Sequence, residues 1–156
     1  MADIRIQVAY TQLAVFDAQL ASPFNDWTDA HVAQGFSWRP GSVSFATLDG
    51  SGPLKLRVIA STLFDEQSSL GERVIRVPFR VPEHGEIEVG SVGDSAQVAL
   101  KPGEYDLVFE HGHEDGEMWA NLYFARVLST SPPRIIRADS ELHPAEALLM
   151  QAEPAA

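Results

Sequence analysis

The residues with the clearest chemical potential form one acidic, histidine-rich run between two apolar segments. From Glu110 to Glu117 the chain carries four carboxylates, two imidazoles, two glycines and no hydrophobic residue. We predict that this run is a surface loop, because it contains no hydrophobic residue. Loops lie at the surface and often carry function. An ordinary flexible acidic hairpin tip is the simpler alternative. The density of acid nevertheless makes this segment the first candidate for a functional site.

A metal site is the first chemistry to consider in this run. His111 and His113 flank one glycine, so an extended chain would turn both imidazoles to the same side. Zinc, however, takes about three or four ligands at fixed geometry. Calcium takes about six to eight oxygens, and the regularly spaced acids of a calcium-binding loop are absent. We therefore predict no cofactor and no tight metal site, with His111 and His113 as the weak alternative ligands.

Catalytic patterns are the second chemistry to consider. The chain has no cysteine, which excludes disulfides, thiolate ligands and cysteine nucleophiles. No serine lies in the Gly-x-Ser-x-Gly context of a hydrolase. Asp26 and Asp29 could serve as an acid and a base only if one of them lay in an apolar pocket. The same two residues suit the cap and first turn of a helix, so we predict that the protein is not an enzyme.

The charge balance limits the class of partner. The chain has 22 acidic and 11 basic residues, which gives a formal net charge of −11. Such a field repels nucleic acid and attracts basic partners, so we expect a basic protein partner and no direct nucleic acid binding. No apolar leader or membrane-spanning run is present, and we expect a soluble, cytoplasmic protein. The oligomeric state stays open, a homo-oligomer included.

The elements that must position these residues are mostly short strands. Alternation of apolar and polar residues predicts strands near residues 4–16, 42–48, 54–60, 72–82, 86–92, 95–100, 105–109, 118–127 and 134–137. The first is either one long strand or two strands broken near Thr11. Residues 49–53 are predicted to form a hairpin loop, and Pro78 places its strand at a sheet edge or a bulge. This spacing of strands and turns predicts an all-β fold, an antiparallel β-sandwich.

One short helix and a C-terminal extension complete the prediction. We expect the helix within residues 27–34, with Trp27 and Val32 turned inward and Gly35 just past its end. At 156 residues the chain predicts a single β-sandwich domain over residues 1–139. Residues 140–156 would be an extension in which Pro144–Gln151 forms one or two helical turns. The last residues, 152–156, are expected to fray.

Several motifs of this chain resemble the competence protein J family. They are Tyr10–Phe16, Asp26–Asp29, Gly35–Phe36, Gly41–Phe45, Val77–Val81, Gly85 with the strand after it, and Gly103–Leu107. Their order and approximate spacing hold over about residues 8 to 127. The family is known for an inhibitor of the DNA-entry nuclease of competent bacteria. The resemblance therefore implies a non-catalytic protein that inhibits or neutralises a nuclease.

The charge of the chain fits this implied function. A nuclease must present a basic groove to phosphates, and an acidic protein can occupy that groove as a phosphate mimic. The predicted partner-binding residues are the carboxylates Glu110, Glu114, Asp115, Glu117, Asp26 and Asp29. The alternative is a small-ligand or carbohydrate-binding β-sandwich, with or without assistance from a metal. An exposed tryptophan pair beside the acidic run would favour it. An enzyme would instead place a histidine–carboxylate pair in a deep pocket.

Overall fold

Two β-sheets packed face to face form the protein, as a computed structural model covering residues 2–60 and 63–155 shows. The described strands are β1 (Ala2–Val8), β2 (Gln12–Asp17), β3 (Phe36–Arg39), β4 (Ser42–Ala46), β5 (Gly52–Ala60), β6 (Arg73–Val81), β7 (Glu86–Ser91), β8 (Asp94–Ala99), β9 (Gly103–Glu114), β10 (Glu117–Val127) and β11 (Arg134–Arg137). Helix α1 spans Asp29–Gln34, and a 3₁₀ turn spans Glu66–Ser68. The predicted all-β sandwich is confirmed. Within these described ranges, no helix is long and apolar enough to cross a membrane.

The strand order places the acidic hairpin in the middle of the larger sheet. One sheet has the order β1-β5-β10-β9-β6-β11, and the other has the order β3-β4-β2-β7-β8. Pairing is antiparallel except between β5 and β10, which run parallel. The core lies between the sheets, where Phe45 of β4 stacks on Phe109 of β9 at 4.5 Å between ring centroids. Burial of each such side chain contributes about 1.5–3 kcal/mol, so the core holds the two sheets in one arrangement.

The chain changes sheets between β1 and β2 and again between β4 and β5. Tyr10 and Thr11 both have positive φ, at 56° and 57°, and they send β1 and β2 into different sheets. The first segment is thus two strands, as one of the two alternatives had it. The predicted 49–53 hairpin is wrong, because β4 pairs with β2 and β3 whereas β5 pairs with β1 and β10. The alternation of apolar and polar residues identifies the buried face of a strand but not the strands beside it. Because β4 and β5 both bury apolar side chains, their sequences do not show that they belong to different sheets.

The edge position of Pro78 is confirmed. Strand β11 pairs with β6 at residues 74–76, so no described strand lies beside the β6 backbone at Pro78 on that side. A proline lacks the N–H that a further strand would need, and it suits such an edge. The Trp38 Nε1–H of β3 donates to the Pro78 carbonyl at 2.8 Å. The edge is therefore tied to the opposite sheet.

Helix α1 forms where predicted but turns a different face inward. Thr28 caps it, and Gly35 ends it in the left-handed conformation at φ 84°. Val32 is 59% exposed, so its predicted inward orientation is wrong, and the helical residues that are buried are His31 and Gln34. Both bind the C-terminal chain: His31 Nε2–H donates to the Gln151 carbonyl, and the Gln34 amide binds the Leu149 backbone. The helix thus uses polar groups for docking.

The C-terminal segment, residues 140–155, forms a strap without helical structure. The helix predicted over Pro144–Gln151 is wrong, because His31 and Gln34 supply the hydrogen bonds that helical backbone groups would otherwise make to each other. Beyond it, Asp26 N–H donates to the Glu153 carbonyl and Ala155 N–H donates to the Phe24 carbonyl, where fraying was expected. The division into a domain of residues 1–139 and an extension of residues 140–156 stays a prediction.

Candidate functional site

The acidic run is the end of a β-hairpin, so its assignment as a loop is wrong. Strand β9 continues through Glu114, which pairs with Glu117 at the start of β10. The connection is Asp115-Gly116, with φ of 52° and 79°. Positive φ at both residues matches the two-residue turn that Asp-Gly favours. The Asp-Gly dipeptide is the sequence signal that would have indicated this turn.

Glu110 is buried on the outer face of the larger sheet, the face turned away from the smaller sheet. Its residue is only 4% exposed. The carboxylate accepts hydrogen bonds from Asn121 Nδ2 at 2.7 Å, from the Tyr123 hydroxyl at 3.4 Å and from the Ser69 hydroxyl. Ser69 belongs to the segment 63–71, which lies over this face beside β9. Glu110 therefore anchors that segment and is not one of the exposed carboxylates of the hairpin end.

His111 points the other way, toward the core beside Phe109. Its Nδ1–H donates to the Trp119 carbonyl at 2.7 Å, and its Nε2 accepts from the Leu48 N–H at 2.9 Å. Both ring nitrogens are thus occupied by backbone groups. Burial, the largest cause, lowers the pKa of His111 to about 4, so the ring is neutral at neutral pH. His111 joins the hairpin to the connection between β4 and β5.

His113 lies at the surface between two carboxylates from other loops. Its Nε2 is 3.0 Å from Asp49 Oδ1, and its Nδ1 is 3.4 Å from Glu72 Oε2. Its backbone N–H also donates to the Glu72 carboxylate at 2.9 Å. His113, Asp49 and Glu72 thus form a partly exposed cluster and not a pair in a deep pocket. Across residues 2–60 and 63–155, no group of three or more histidine, aspartate or glutamate side chains is arranged so that it could hold a metal ion.

Four carboxylates form an acidic rim around this end of the hairpin: Asp49, Glu72, Glu114 and Asp115. Glu114 and Asp115 are exposed on the turn, and His113 ties Asp49 and Glu72 to the same place. Asp49 and Glu72 were missed, because they lie far away in sequence and only the fold brings them here. Glu117, which is also a predicted partner-binding residue, forms ion pairs with Arg5 at 3.0 Å and with Lys55 at 3.8 Å.

Asp26 and Asp29 lie on another element. Asp29 is in the first turn of α1, and Asp26 pairs through its backbone with the C-terminal strap. Both are exposed. In the part of the chain that the structure describes, no hydrogen bond or ion pair joins them to the acidic rim. The structure therefore brings Glu114, Asp115 and Glu117 together and leaves the aspartates near the helix as a separate acidic area.

An open groove of about 950 Å³ runs along the outer face next to the rim. Its floor comes from β1, β5, β9 and β10, and its wall comes from the segment 63–71. Its lining includes Asp3, Arg5, Lys55, Arg57, Leu63, Asp65, Leu70, Glu110, Glu114, Trp119, Asn121 and Tyr123. Of the three tryptophans, only Trp119 is among the residues that line it. The tryptophan pair that would favour a carbohydrate-binding protein is thus not found beside the acidic residues.

Trp119 lies across the backbone of the neighbouring strand. It is the cross-strand partner of Gly112. A Cβ atom added at Gly112 would lie 2.9 Å from Trp119 Cζ2, which is closer than real Cβ contacts allow. Only glycine at position 112 therefore lets the Trp119 indole lie against the backbone of β9. The opposite side of the indole lines the groove.

Comparisons with known proteins agree with one another. The model of the family described as Competence protein J (ComJ) matches residues 5–125. A solved structure described as ComJ, inhibitor of the DNA degrading activity of NucA, from Bacillus subtilis, matches with a TM-score of 0.67 and 22% sequence identity. The match covers 81% of this chain and 96% of that chain, and at this identity it shows a shared fold. A search of curated proteins gave no match.

Proposed function

The chain belongs to the competence protein J family, and from that premise we propose that it is a non-catalytic inhibitor of a nuclease. The observation that carries the proposal is the family match, which runs from β1 almost to the end of β10 and so includes most of both sheets. It confirms the resemblance found in the sequence. The similar Bacillus subtilis structure is described as an inhibitor of a DNA-degrading activity, which supports the same function here.

The acidic rim, together with Glu117, is the surface we assign to the nuclease. A nuclease binds phosphates through basic side chains, and clustered carboxylates on a rigid support would compete for them. The two-residue turn and the His113 contacts hold the carboxylates in place before binding, which lowers the entropy lost on association. Asp26 and Asp29 form a second area that a large partner would reach. Glu110 is too buried to belong to this exposed surface, and only a side chain that enters the groove beside the rim would reach it.

A charge-matched pair of variants tests the rim. The variant E114Q/D115N/E117Q removes three carboxylates, and asparagine tolerates the left-handed backbone at position 115. The control E83Q/E86Q/E146Q removes the same charge from exposed positions elsewhere. Glu83 and Glu86 lie between the end of β6 and the start of β7, at the opposite end of the sandwich.

The readout is inhibition of a nuclease captured with the wild-type protein from lysate of the source organism. We expect the rim variant to associate more slowly and the control to match the wild type at low salt. Raising salt should remove this difference, because the Debye length falls from about 10 Å at 0.1 M to about 3 Å at 1 M. Equal inhibition by both variants would show that the acidic rim is not the interface, and the area around Asp26 and Asp29 would become the candidate. Absence of inhibition by the wild-type protein would refute the function itself.

A further inference from the structure

The groove contains a buried carboxylate that has no basic partner among the residues that the structure describes. Within residues 2–60 and 63–155, the donors to Glu110 are all neutral, namely Asn121, Tyr123 and Ser69. Arg137, the guanidinium in the same network, donates to Ser69 and Gly71 and not to the carboxylate. Buried carboxylates are usually paired with a positive charge, because desolvation of the ion is costly. In the described part of the chain, Glu110 therefore lacks the cation that a buried carboxylate normally has.

The charges around Glu110 leave room for that cation. Three basic residues line the groove, but each already has an acidic partner: Arg57 pairs with Asp3, and Arg5 and Lys55 both pair with Glu117. Among the described residues, three lining carboxylates have no ion pair: Asp65, Glu110 and Glu114. The groove beside the wall segment is thus unbalanced toward negative charge.

The rest of the lining suits a long, flat, partly apolar side chain. Trp119 offers its indole to the groove, and a guanidinium stacks on tryptophan more favourably than on other side chains. Leu63 and Leu70 are 79% and 88% exposed on the wall, where a methylene stem would cover them. Trp119 and Tyr123, which also line the groove, are of the residue types enriched at the energetically dominant positions of protein interfaces.

We propose that this groove receives an arginine side chain of a basic protein partner, with its guanidinium bound to Glu110 and stacked on Trp119. Arginine fits better than lysine because its planar fork can bond a carboxylate and stack at the same time. The inference rests on the proposed function, since a nuclease is a basic partner. It adds a specific pocket to an interface otherwise described by charge alone.

The test uses the isolated protein and Nα-acetyl-L-arginine amide as the probe. Titration is followed by the indole N–H resonance of Trp119, identified by its loss in W119F. The variant E110Q removes the charge while keeping an oxygen for Asn121 and Tyr123, and E86Q on the other sheet is the matched control. Nα-acetyl-L-norleucine amide, which has a similar length and no charge, measures apolar binding alone.

We expect the arginine probe to shift the Trp119 resonance in the wild type and in E86Q, with binding at least about tenfold weaker in E110Q. Equal affinity in E110Q, equal binding of the norleucine probe, or no shift in the wild type would each overturn the proposal. If E110Q loses its fold, the variant W119L replaces it, and binding of the arginine probe is followed by the side-chain amide resonance of Asn121. Unchanged affinity of W119L for the probe would overturn the proposal. If the protein inhibits a nuclease but does not bind the arginine probe, the arginine-binding groove is refuted and the proposed function stands. If it binds the probe but inhibits no nuclease, the proposed function is refuted and the arginine-binding groove stands.

Discussion

Acidification should destabilise this protein through His111. The ring is fully buried, and both of its nitrogens bind backbone groups in the neutral form. Its pKa of about 4 in the folded chain compares with about 6.5 when it is exposed in the unfolded chain. Between these two values the unfolded state binds the extra proton, so the free energy of unfolding falls as the pH falls.

The size of the effect follows from the two pKa values. Each unit of difference corresponds to about 1.4 kcal/mol, so a change from about pH 7 to about pH 4.5 should cost roughly 2 kcal/mol. We propose to measure it by urea unfolding of the wild type, of H111Q and of the control H143Q, in which an exposed histidine is replaced. H111Q should be less stable at neutral pH but should lose much less stability on acidification.

The comparison between variants isolates one residue from the general effect of acid. Carboxylates also titrate as the pH falls, but they do so in all three proteins. The control should therefore show the wild-type dependence on pH. If H111Q loses as much stability as the wild type between the two pH values, burial of a neutral His111 is not the cause, and the reasoning is refuted.

Three further outcomes are expected. Extensively dialysed protein should contain no stoichiometric zinc or calcium by mass spectrometry, because the His111 nitrogens are already bonded; bound metal that disappears in the H111A/H113A variant would contradict this. Gly112→Ala should lower the free energy of unfolding by about 1–3 kcal/mol and alter the Trp119 indole resonance, since the new methyl overlaps the ring; an unchanged resonance would argue against the flat indole. Leu142→Ala should cost about 2–5 kcal/mol in the same urea assay, because Leu142 is 6% exposed and packs at Gly35; a cost below about 0.5 kcal/mol would show that the strap does not dock there.

The strands were predictable because their side chains alternate. Val77, Phe79 and Val81 mark the buried face of β6 as clearly in the sequence as in the structure. The neighbours of a strand were not predictable, because pairing depends on where the chain changes sheets. Tyr10 and Thr11 adopt a left-handed backbone that their residue types do not favour, and tertiary contacts such as the bond from Thr11 N–H to the Gly50 carbonyl hold it.

The acidic residues illustrate the same limit at the site. Composition correctly identified the run that contains the hairpin end, and the Asp-Gly dipeptide contained the turn. Burial of Glu110 was not predictable, since the residues that cover it, such as Ser69, come from a segment some distance away in the chain. Likewise, only the contacts of His113 show that Asp49 and Glu72 belong beside Glu114.

The parallel pairing of β5 with β10 has a consequence for folding kinetics. Met118 pairs with Leu54, so this contact closes a long loop, whereas β9 and β10 pair across a two-residue turn. Loop-closure entropy makes such a contact slow to form, and we expect the hairpin to assemble before it joins β1 and β5. The groove floor spans this junction, with Lys55 and Arg57 on one side and Trp119 and Asn121 on the other. A partner seated in the groove would therefore hold the two halves of the sheet together and slow the unfolding of the whole protein.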